Sequence, residues 1–517
     1  VTRWFNTAGP CKPDLHYMLP VMRRLPTVRQ LIERQSYFVL HAPRQVGKTT
    51  SLMALGRELT REGRYASVLV SMEVGAPFSH DVGAAELAVL SEWRRAAEAD
   101  LSPDLQPPAW PAEAPGGRIA AGLQSWVKAC PRPLVLFLDE IDALQGEALV
   151  AVLRQIRAGY PRRPDAFPWS LALVGLRDVR DYKLASGGAP ESSHSSSPFN
   201  IKVESLTLRS FTREEVAELY AEHTGDTGQA FTPEALDRVF DLTQGQPWLV
   251  NALGYQLIDV VVSGAARTIT AEDVETAREI LIQRQDTHLD SLVERLRDPR
   301  VRQVIEPMLA GLPLGDVPDD DRRFVQDLGL VRRDPDGGLV IANPIYHEVI
   351  PRALVAGMQD SLPRLTPTWL RPDGRLDPDR LLGAFLAFWR EHGQPLLGSA
   401  PYHEIAPHLV LMAFLHRVVN GHGTIQREYA VGSGRMDLLV RHGPDVMAME
   451  LKVWRDGERD PLGDGIAQLD RYLAGLGLDT GWLVIFDRRR DLPPIAERTT
   501  MAPATTTGGR SVTVLRV

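Results

Sequence analysis

The sequence predicts an α/β fold, in which a parallel sheet with helices on both faces is followed by helical segments and then by a separate, second α/β domain. Three observations carry this. Up to Ser210, short apolar runs of the buried-strand type alternate with stretches of helical period. From Phe211 the period turns helical, and from about residue 400 strands and helices mix again.

The elements follow in order. Ser36–Ala42 is an apolar run that ends in a loop, Pro43–Gly47, and Lys48–Glu62 carries Leu52, Leu55 and Leu59 at helical spacing. Arg64–Glu73 reads as the next strand, and Asp100–Gly117 as a Pro-rich loop inside a helical section. Leu134–Leu138 and Trp169–Val174 are two further buried-type strands, and Ser186–Pro198 is a surface loop rich in Gly, Ser and Pro. Thr212-Arg-Glu-Glu215 is a capping box before a helix, and Thr232-Pro-Glu opens another. Leu328–Ile341 holds two short strands around Pro-Asp-Gly-Gly; following helices, they predict a winged helix. Pro351–Pro378 is a Pro-rich connection, and no internal repeat is visible.

Composition bounds the function. The 517 residues are 44% hydrophobic and 24% charged, which excludes disorder, collagen-like structure and a coiled-coil rod for the bulk of the chain. At about 150 residues per domain, three or four domains are expected. No apolar run reaches the ~18–20 residues that span a bilayer, and Val1–Pro20 lacks a signal-peptide core. Cys11 and Cys130 form neither a disulfide framework nor a metal cluster, so a cytoplasmic protein without a membrane partner is expected. The net charge of −8 gives no global basic field for nucleic acid. Only six lysines stand against 52 arginines, and two of them, Lys48 and Lys452, fall in the motifs below.

Ala42-Pro43-Arg44-Gln45-Val46-Gly47-Lys48-Thr49-Thr50 fits a phosphate-binding loop with Ala in place of the first Gly. Such a loop between strand and helix aims backbone N–H groups and a helix N-terminus at phosphates. Gly47 permits close approach, Lys48 reaches the β- and γ-phosphates, and the Thr49 hydroxyl ligates Mg²⁺. A lysine is a compact point charge that a planar guanidinium replaces poorly. The strand Leu134–Leu138 ends in Asp139-Glu140, which supplies a metal-side acid, Asp139, and a general base for the attacking water, Glu140. ATP and Mg²⁺ are the expected cofactors. In Gly175–Asp181 a polar residue is a candidate γ-phosphate sensor, and Arg177 and Arg180 are candidate finger residues. A charged surface loop is the equal alternative.

The phosphate loop, the Asp-Glu pair and Gly245-Gln-Pro247-Trp-Leu-Val-Asn251 together resemble AAA-like ATPases of the STAND and initiator types in bacteria and archaea. Phe5-Asn-Thr-Ala-Gly-Pro10 with His16-Tyr17 resembles the same group. The resemblance covers about residues 1–355. It implies a P-loop NTPase core, a helical lid that sets Pro247 near the nucleotide, and a winged helix. Such winged helices pack against proteins as often as they grip DNA, and Asp316, Asp319, Asp320 and Asp321 argue against phosphate at that face.

Near the C-terminus, Ile425–Tyr429, Gly432–Val440 and Met447–Val453 read as three strands joined by turns. Glu450 and Lys452 are two apart and share a face, and antiparallel pairing brings Asp437 beside Glu450. Two carboxylates with an adjacent lysine can hold Mg²⁺ and orient a water against a phosphodiester. Acid-x-Lys also occurs at Asp181-Tyr-Lys183, so context decides: the apolar strand, Gly434-Arg-Met-Asp437 before it, and Gln468 with Tyr472 on one helix face. This pattern resembles the PD-(D/E)XK nuclease superfamily over about residues 400–490. The resemblance implies that Asp437 and Glu450 bind the metal, Lys452 supports the nucleophile and Gln468 assists. Glu404 on the preceding helix joins the metal shell, and Glu428 is a further neighbour. A residue other than Pro precedes Asp437, as in divergent members. From 401 onward there are 14 basic and 14 acidic residues, with Arg427, Arg435, Arg455 and Arg459 near the motif.

The expected organisation is therefore an N-terminal segment (1–27), the ATPase core (28–210), a lid (211–290), a winged helix (291–357), a linker with a helix (358–399) and a restriction-endonuclease-like α/β domain (400–517). The expected function is an ATP-hydrolysing switch that controls a metal-dependent nuclease acting on nucleic acid, DNA above RNA, with assembly into a homo-oligomer compatible. The alternatives are a regulatory ATPase whose C-terminal domain only binds, and an initiator-like loader that binds duplex DNA without cutting it.

Overall fold

The computed structural model describes the chain except residues 1–2, 178–200, 202–203, 265–266, 285–291, 293, 310–313, 336, 352–368, 400–405, 420–422, 432–433 and 491. For 21, 394–399, 406, 409, 416–419, 423–424, 426–431 and 434–437 it describes backbone alone. Two compact units result: Val1–Arg284 with Arg323–Asn343, and Gln285–Arg322 with Pro344–Val517.

The first unit is built on a five-stranded, wholly parallel sheet. Its strands are β1 (Tyr37–His41), β2 (Ala66–Ser71), β3 (Leu134–Asp139), β4 (Ser170–Gly175) and β5 (Glu204–Thr207), in the spatial order β2-β3-β4-β1-β5. Both faces are covered, which is why β1, β3 and β4 read as unbroken apolar runs. Along β1, Tyr37 and Val39 pack into one core and Phe38 and Leu40 into the other; along β3, Leu134, Leu136 and Leu138 alternate in the same way with Val135 and Phe137. Burying one such side chain contributes roughly 1.5–3 kcal/mol, so this double layer holds the strand ends rigidly in register. The sequence reading finds β1 to β4 within one or two residues. It misses β5, because Glu204-Ser-Leu-Thr207 is an edge strand paired only to β1, with its ends exposed.

Beyond β5 the chain turns helical as expected. Thr212 caps the helix Arg213–Thr227 in a complete capping box with Glu215, and Thr232 caps Pro233–Thr243. Each cap contributes about 1 kcal/mol. Gln246 caps Pro247–Tyr255 through the Leu249 amide. The N-terminal segment is tied to the first of these helices. Arg3 pairs with Glu222 and Asp226, Arg23 with Glu218, and the Tyr17 hydroxyl bonds His223 at 3.1 Å. Phe5 fills the gap against Tyr17 and Tyr220.

Two more strands belong to this unit, β6 (Val331–Arg333) and β7 (Leu339–Ile341), an antiparallel pair around the anticipated Gly-rich turn. Gly337 and Gly338 take φ of 102° and 83°, the left-handed side of the map that glycine occupies without steric cost. The segment 291–357 contributes to both units, since the helix Pro299–Leu309 lies in the second.

The second unit has a six-stranded mixed sheet: β8 (Gly423–Val431), β9 (Gly434–His442), β10 (Asp445–Trp454), β11 (Thr480–Asp487), β12 (Thr500–Thr505) and β13 (Ser511–Arg516), in the order β12-β13-β11-β10-β9-β8. Strands β8, β9 and β10 form an antiparallel meander, and β10, β11 and β13 run parallel. The helix Leu462–Leu476 makes the crossover from β10 to β11 and seats Leu469 and Leu473 on the sheet with Leu439, Leu483 and Ile485. Among the described residues, no helix is long and apolar enough to cross a membrane.

Candidate functional site

The phosphate loop sits at the carboxyl end of β1, where an open α/β sheet places its ligands. Gln45 and Gly47 adopt φ of 60° and 89°, and these two left-handed residues curl the loop before the helix Lys48–Arg61 begins. Ala42 is buried, and its amide bonds the Gly175 carbonyl on the neighbouring β4. Arg44 and Gln45 face solvent. The Lys48 ammonium lies inside the curl, donating to the Ala42 and Pro43 carbonyls at 2.7 and 2.9 Å. Burial pushes its pKa down to about 8, against the pull of Asp139 and Asp142.

Strand β3 delivers the acids. The Thr49 hydroxyl donates to Asp139 Oδ2 at 2.7 Å, and the Glu140 amide donates to Oδ1 at 3.0 Å. Asp139 is 4% exposed, and burial raises its pKa despite these donors and Lys48. A carboxylate so placed beside a hydroxyl and a phosphate-binding curl fits a hydrated divalent cation that takes its other oxygens from phosphates. Glu140 turns left-handed at φ 55° directly after β3. The residue as a whole is exposed, yet partial burial of its carboxyl and then a hydrogen bond with Glu73 lift its pKa to about 7. The charges of Glu73, Asp139 and Asp142 push the same way.

Glu73, in the turn after β2, is a site residue that sequence reasoning misses; nothing marks it among 66 acids. Three more join from outside the motifs. The Cys11 amide donates to Thr50 Oγ1 at 3.1 Å, Asp142 accepts from the Leu176 amide at 3.3 Å, and Arg24 holds the Val46 carbonyl at 2.9 Å. Pro43 lies against Gly329, where an added Cβ would stand 2.7 Å from it. Pro247 is the buried first residue of its helix. Arg177 is buried with its guanidinium 3.7 Å from the Phe324 ring centroid, a setting unlike the charged surface loop weighed for it. Asp178, Arg180 and Asp181 lie outside the described residues.

The second constellation stands on β10. Glu450 is fully buried, and Lys452, two residues on, donates to its Oε1 at 2.6 Å and to Gln468 Oε1 at 2.9 Å. Gln468 in turn donates to the Tyr472 hydroxyl at 3.0 Å. One strand and one helix thus bring Glu450, Lys452, Gln468 and Tyr472 into a continuous polar chain. In the β9–β10 ladder Met449 faces Leu438, so Glu450 and Asp437 come next along their strands. The side chains of Asp437, Glu428, Arg427 and Arg435, and the whole of Glu404, lie outside the described residues. Among the described residues, no group of three or more His, Cys, Asp or Glu side chains is arranged so that it could hold a metal ion by itself.

No protein-family model and no curated protein matches the chain. Among solved structures it is similar to the Walker-type ATPase PABY2304 of Pyrococcus abyssi, at 12% identity and a TM-score of 0.46, over 67% of this chain and 99% of that one. It is also similar to the Holliday junction branch migration motor RuvB of Thermotoga maritima, at 18% identity and a TM-score of 0.35, over 63% and 92%. Cdc6p from Pyrobaculum aerophilum aligns at 13% identity and a TM-score of 0.37, over 66% and 96%. At these identities and scores the likenesses assign no activity to the chain. Its own residues show a mixed α/β protein whose five-stranded parallel sheet carries the curled loop Pro43–Gly47 at the carboxyl end of β1.

Proposed function

We propose that this chain is an AAA-like ATPase that binds and hydrolyses ATP at the phosphate loop and couples that cycle to a metal-dependent, PD-(D/E)XK-like phosphodiesterase acting on DNA. The observation that carries the reading is the junction of loop and β3: Lys48 inside the curl, and Thr49 donating to a buried Asp139 at 2.7 Å. The loop amides and Lys48 would bind the β- and γ-phosphates, and Thr49 and Asp139 would hold a Mg²⁺ ion. Such an ion would supply neutralisation of the charge that develops on the phosphate oxygens. Glu140, with its pKa near 7, takes the proton of the attacking water, because a base tuned close to ambient pH is both available and strong enough. Pro247 lies in the lid that this reading places over the nucleotide, with residues 291–357 as the winged helix.

In the second unit, Asp437 and Glu450 would hold the divalent ion, joined by Glu404. The metal supplies charge neutralisation and an acidified water. Lys452, clamped between Glu450 and Gln468, would stabilise the attacking nucleophile and the charge on the scissile phosphate. The supporting observation is the Glu450–Lys452–Gln468–Tyr472 chain. A solvated strand face would leave Glu450 in water instead of fully buried.

The test is Mg²⁺- or Mn²⁺-dependent cleavage of single-stranded DNA, duplex DNA and RNA, with and without ATP, by wild type, Lys48→Ala and Lys452→Ala. Scission lost in both variants supports an ATP-licensed nuclease. Loss in Lys452→Ala alone separates the two chemistries. ATP turnover with no scission of any substrate overturns the nuclease half and leaves a regulatory ATPase.

A further inference from the structure

Arg24 is the least expected charge in the first unit. It is 8% exposed, and burial lowers its pKa to about 10. Its guanidinium reaches two parts of the chain that are far apart in sequence. Nη2 donates to the Val46 carbonyl of the phosphate loop at 2.9 Å, while Nε, at 3.0 Å, and Nη2 both donate to the Arg209 carbonyl. The plane also stacks on Phe211, 4.7 Å from the ring centroid. Nη1 stands 3.6 Å from where a Cβ on Gly47 would lie, so the group backs directly onto the loop.

Each contact has a mechanical consequence. A trans peptide fixes its C=O and N–H in opposite directions. Holding the Val46 carbonyl therefore aims the Gly47 N–H the other way, away from Arg24. The second contact falls on the joint between sheet and helices. Leu208 is still bonded to His41 of β1, and the helix Arg213–Thr227 begins three residues after Ser210. Phe211, between them, donates its amide to the Gly245 carbonyl at 2.8 Å. Gly245 has φ of 70°, and a Cβ there would lie 2.0 Å from the Phe211 carbonyl oxygen. The joint and the start of the next helix, Pro247–Tyr255, are thus locked together, and Arg24 ties that lock to the loop.

We propose that Arg24 is a positioning residue that makes the orientation of the Val46–Gly47 peptide and the setting of the 209–211 joint a single variable, so that phosphate binding at the loop is transmitted to the helices behind the joint. This rests on the phosphate-loop reading above. It uses a planar guanidinium whose Nη2 bridges both carbonyls while Nε adds a second bond to Arg209 and the face stacks on Phe211; the compact ammonium of a lysine lacks the second nitrogen and the stacking face.

Two measurements on the full chain test it. Hydrogen exchange in the nucleotide-free protein asks whether Arg24→Met loosens residues 43–47 and 209–211 together; Arg24→Lys should restore part of that protection. Fluorescent ADP binding then asks whether Arg24→Met weakens affinity roughly tenfold, about 1.4 kcal/mol, and whether ADP still changes exchange in Arg213–Thr227 as it does in wild type. Should Arg24→Met fail to fold, Phe211→Leu keeps the backbone and removes the stacking face, and the same paired loosening is expected in weaker form. Paired loosening with loss of the ADP response supports the proposal. Loosening of one segment without the other overturns it, as does an ADP response that persists unchanged in Arg24→Met. A wild type that takes up no nucleotide, yet shows the paired loosening on substitution, sinks the phosphate-loop reading and keeps only the mechanical link.

Discussion

Lys48 and Lys452 are held in the same way and by opposite means. Each ammonium donates to two oxygens at 2.6–2.9 Å. The partners of Lys48 are backbone carbonyls five and six residues earlier, so the site is made by the course of the chain. The partners of Lys452 are side chains, one on its own strand and one sixteen residues on, so the site is made by register and crossover. A backbone site tolerates change at its neighbours and fails when the loop or the lysine fails. A side-chain site fails one partner at a time.

The largest effects should come from the lysines themselves. Lys48→Ala is expected to cost on the order of 10³ in ATP turnover, and Lys452→Ala on the order of 10² to 10³ in strand scission, the range for removing one preorganised charge donor. Initial rates for both reactions in both variants measure this. Lys452→Ala with full scission would dissolve the parallel between the two sites. Next, Glu140→Gln should lower kcat by about 10² to 10⁴ with KM little changed, since a general base acts in the transition state. A raised KM at constant kcat would make Glu140 a binding residue instead.

The comparison sharpens on the neighbours. Gln468→Ala leaves Lys452 with Glu450 alone, and scission should drop roughly tenfold, because a misplaced group loses effective molarity steeply. Arg44→Ala, on the exposed crest of the phosphate loop, should change ATP turnover less than about threefold, as surface substitutions away from special features do. Were the two reversed, the phosphate site would depend on side chains after all.

The same contrast explains what was legible in the sequence. The loop Ala42–Thr50 is contiguous, and its shape follows from a strand, a turn and a helix that apolar periodicity reveals at once. Asp139-Glu140 was legible because β3 is buried on both faces and ends where its carboxylates begin. Glu450, Lys452, Gln468 and Tyr472 were legible because strand alternation and the helical i, i+4 step are fixed geometries. Glu73 and Arg24 were not. Each reaches the site through a turn or a buried guanidinium, and neither turn nor guanidinium has a period. The edge strand β5 was lost for a related reason: half-exposed and four residues long, it has no apolar run to show.

Glu73 supplies the finest test, because it perturbs the base without touching the loop. Burial is the largest cause of the upward shift of Glu140, to about 7, and the carboxyl of Glu73 adds to it. If Glu140 is the general base of the proposed function, its carboxylate form is required, and kcat for ATP should fall as pH drops through about 7. Glu73→Gln removes a like charge and leaves an amide that can still hydrogen-bond, so this acid limb should move to lower pH, with the plateau rate nearly unchanged. Stability should respond as well. A carboxyl whose folded pKa is raised stabilises the fold fully below its unfolded pKa and loses that contribution as pH rises through its folded one. The variant, with a smaller rise, should therefore gain stability relative to wild type as pH passes from 5 to 8. A pH–kcat profile and thermal unfolding at both ends of that range read the two effects. An acid limb that stays at 7 in Glu73→Gln would mean that burial and the charges of Asp139 and Asp142 tune the base by themselves.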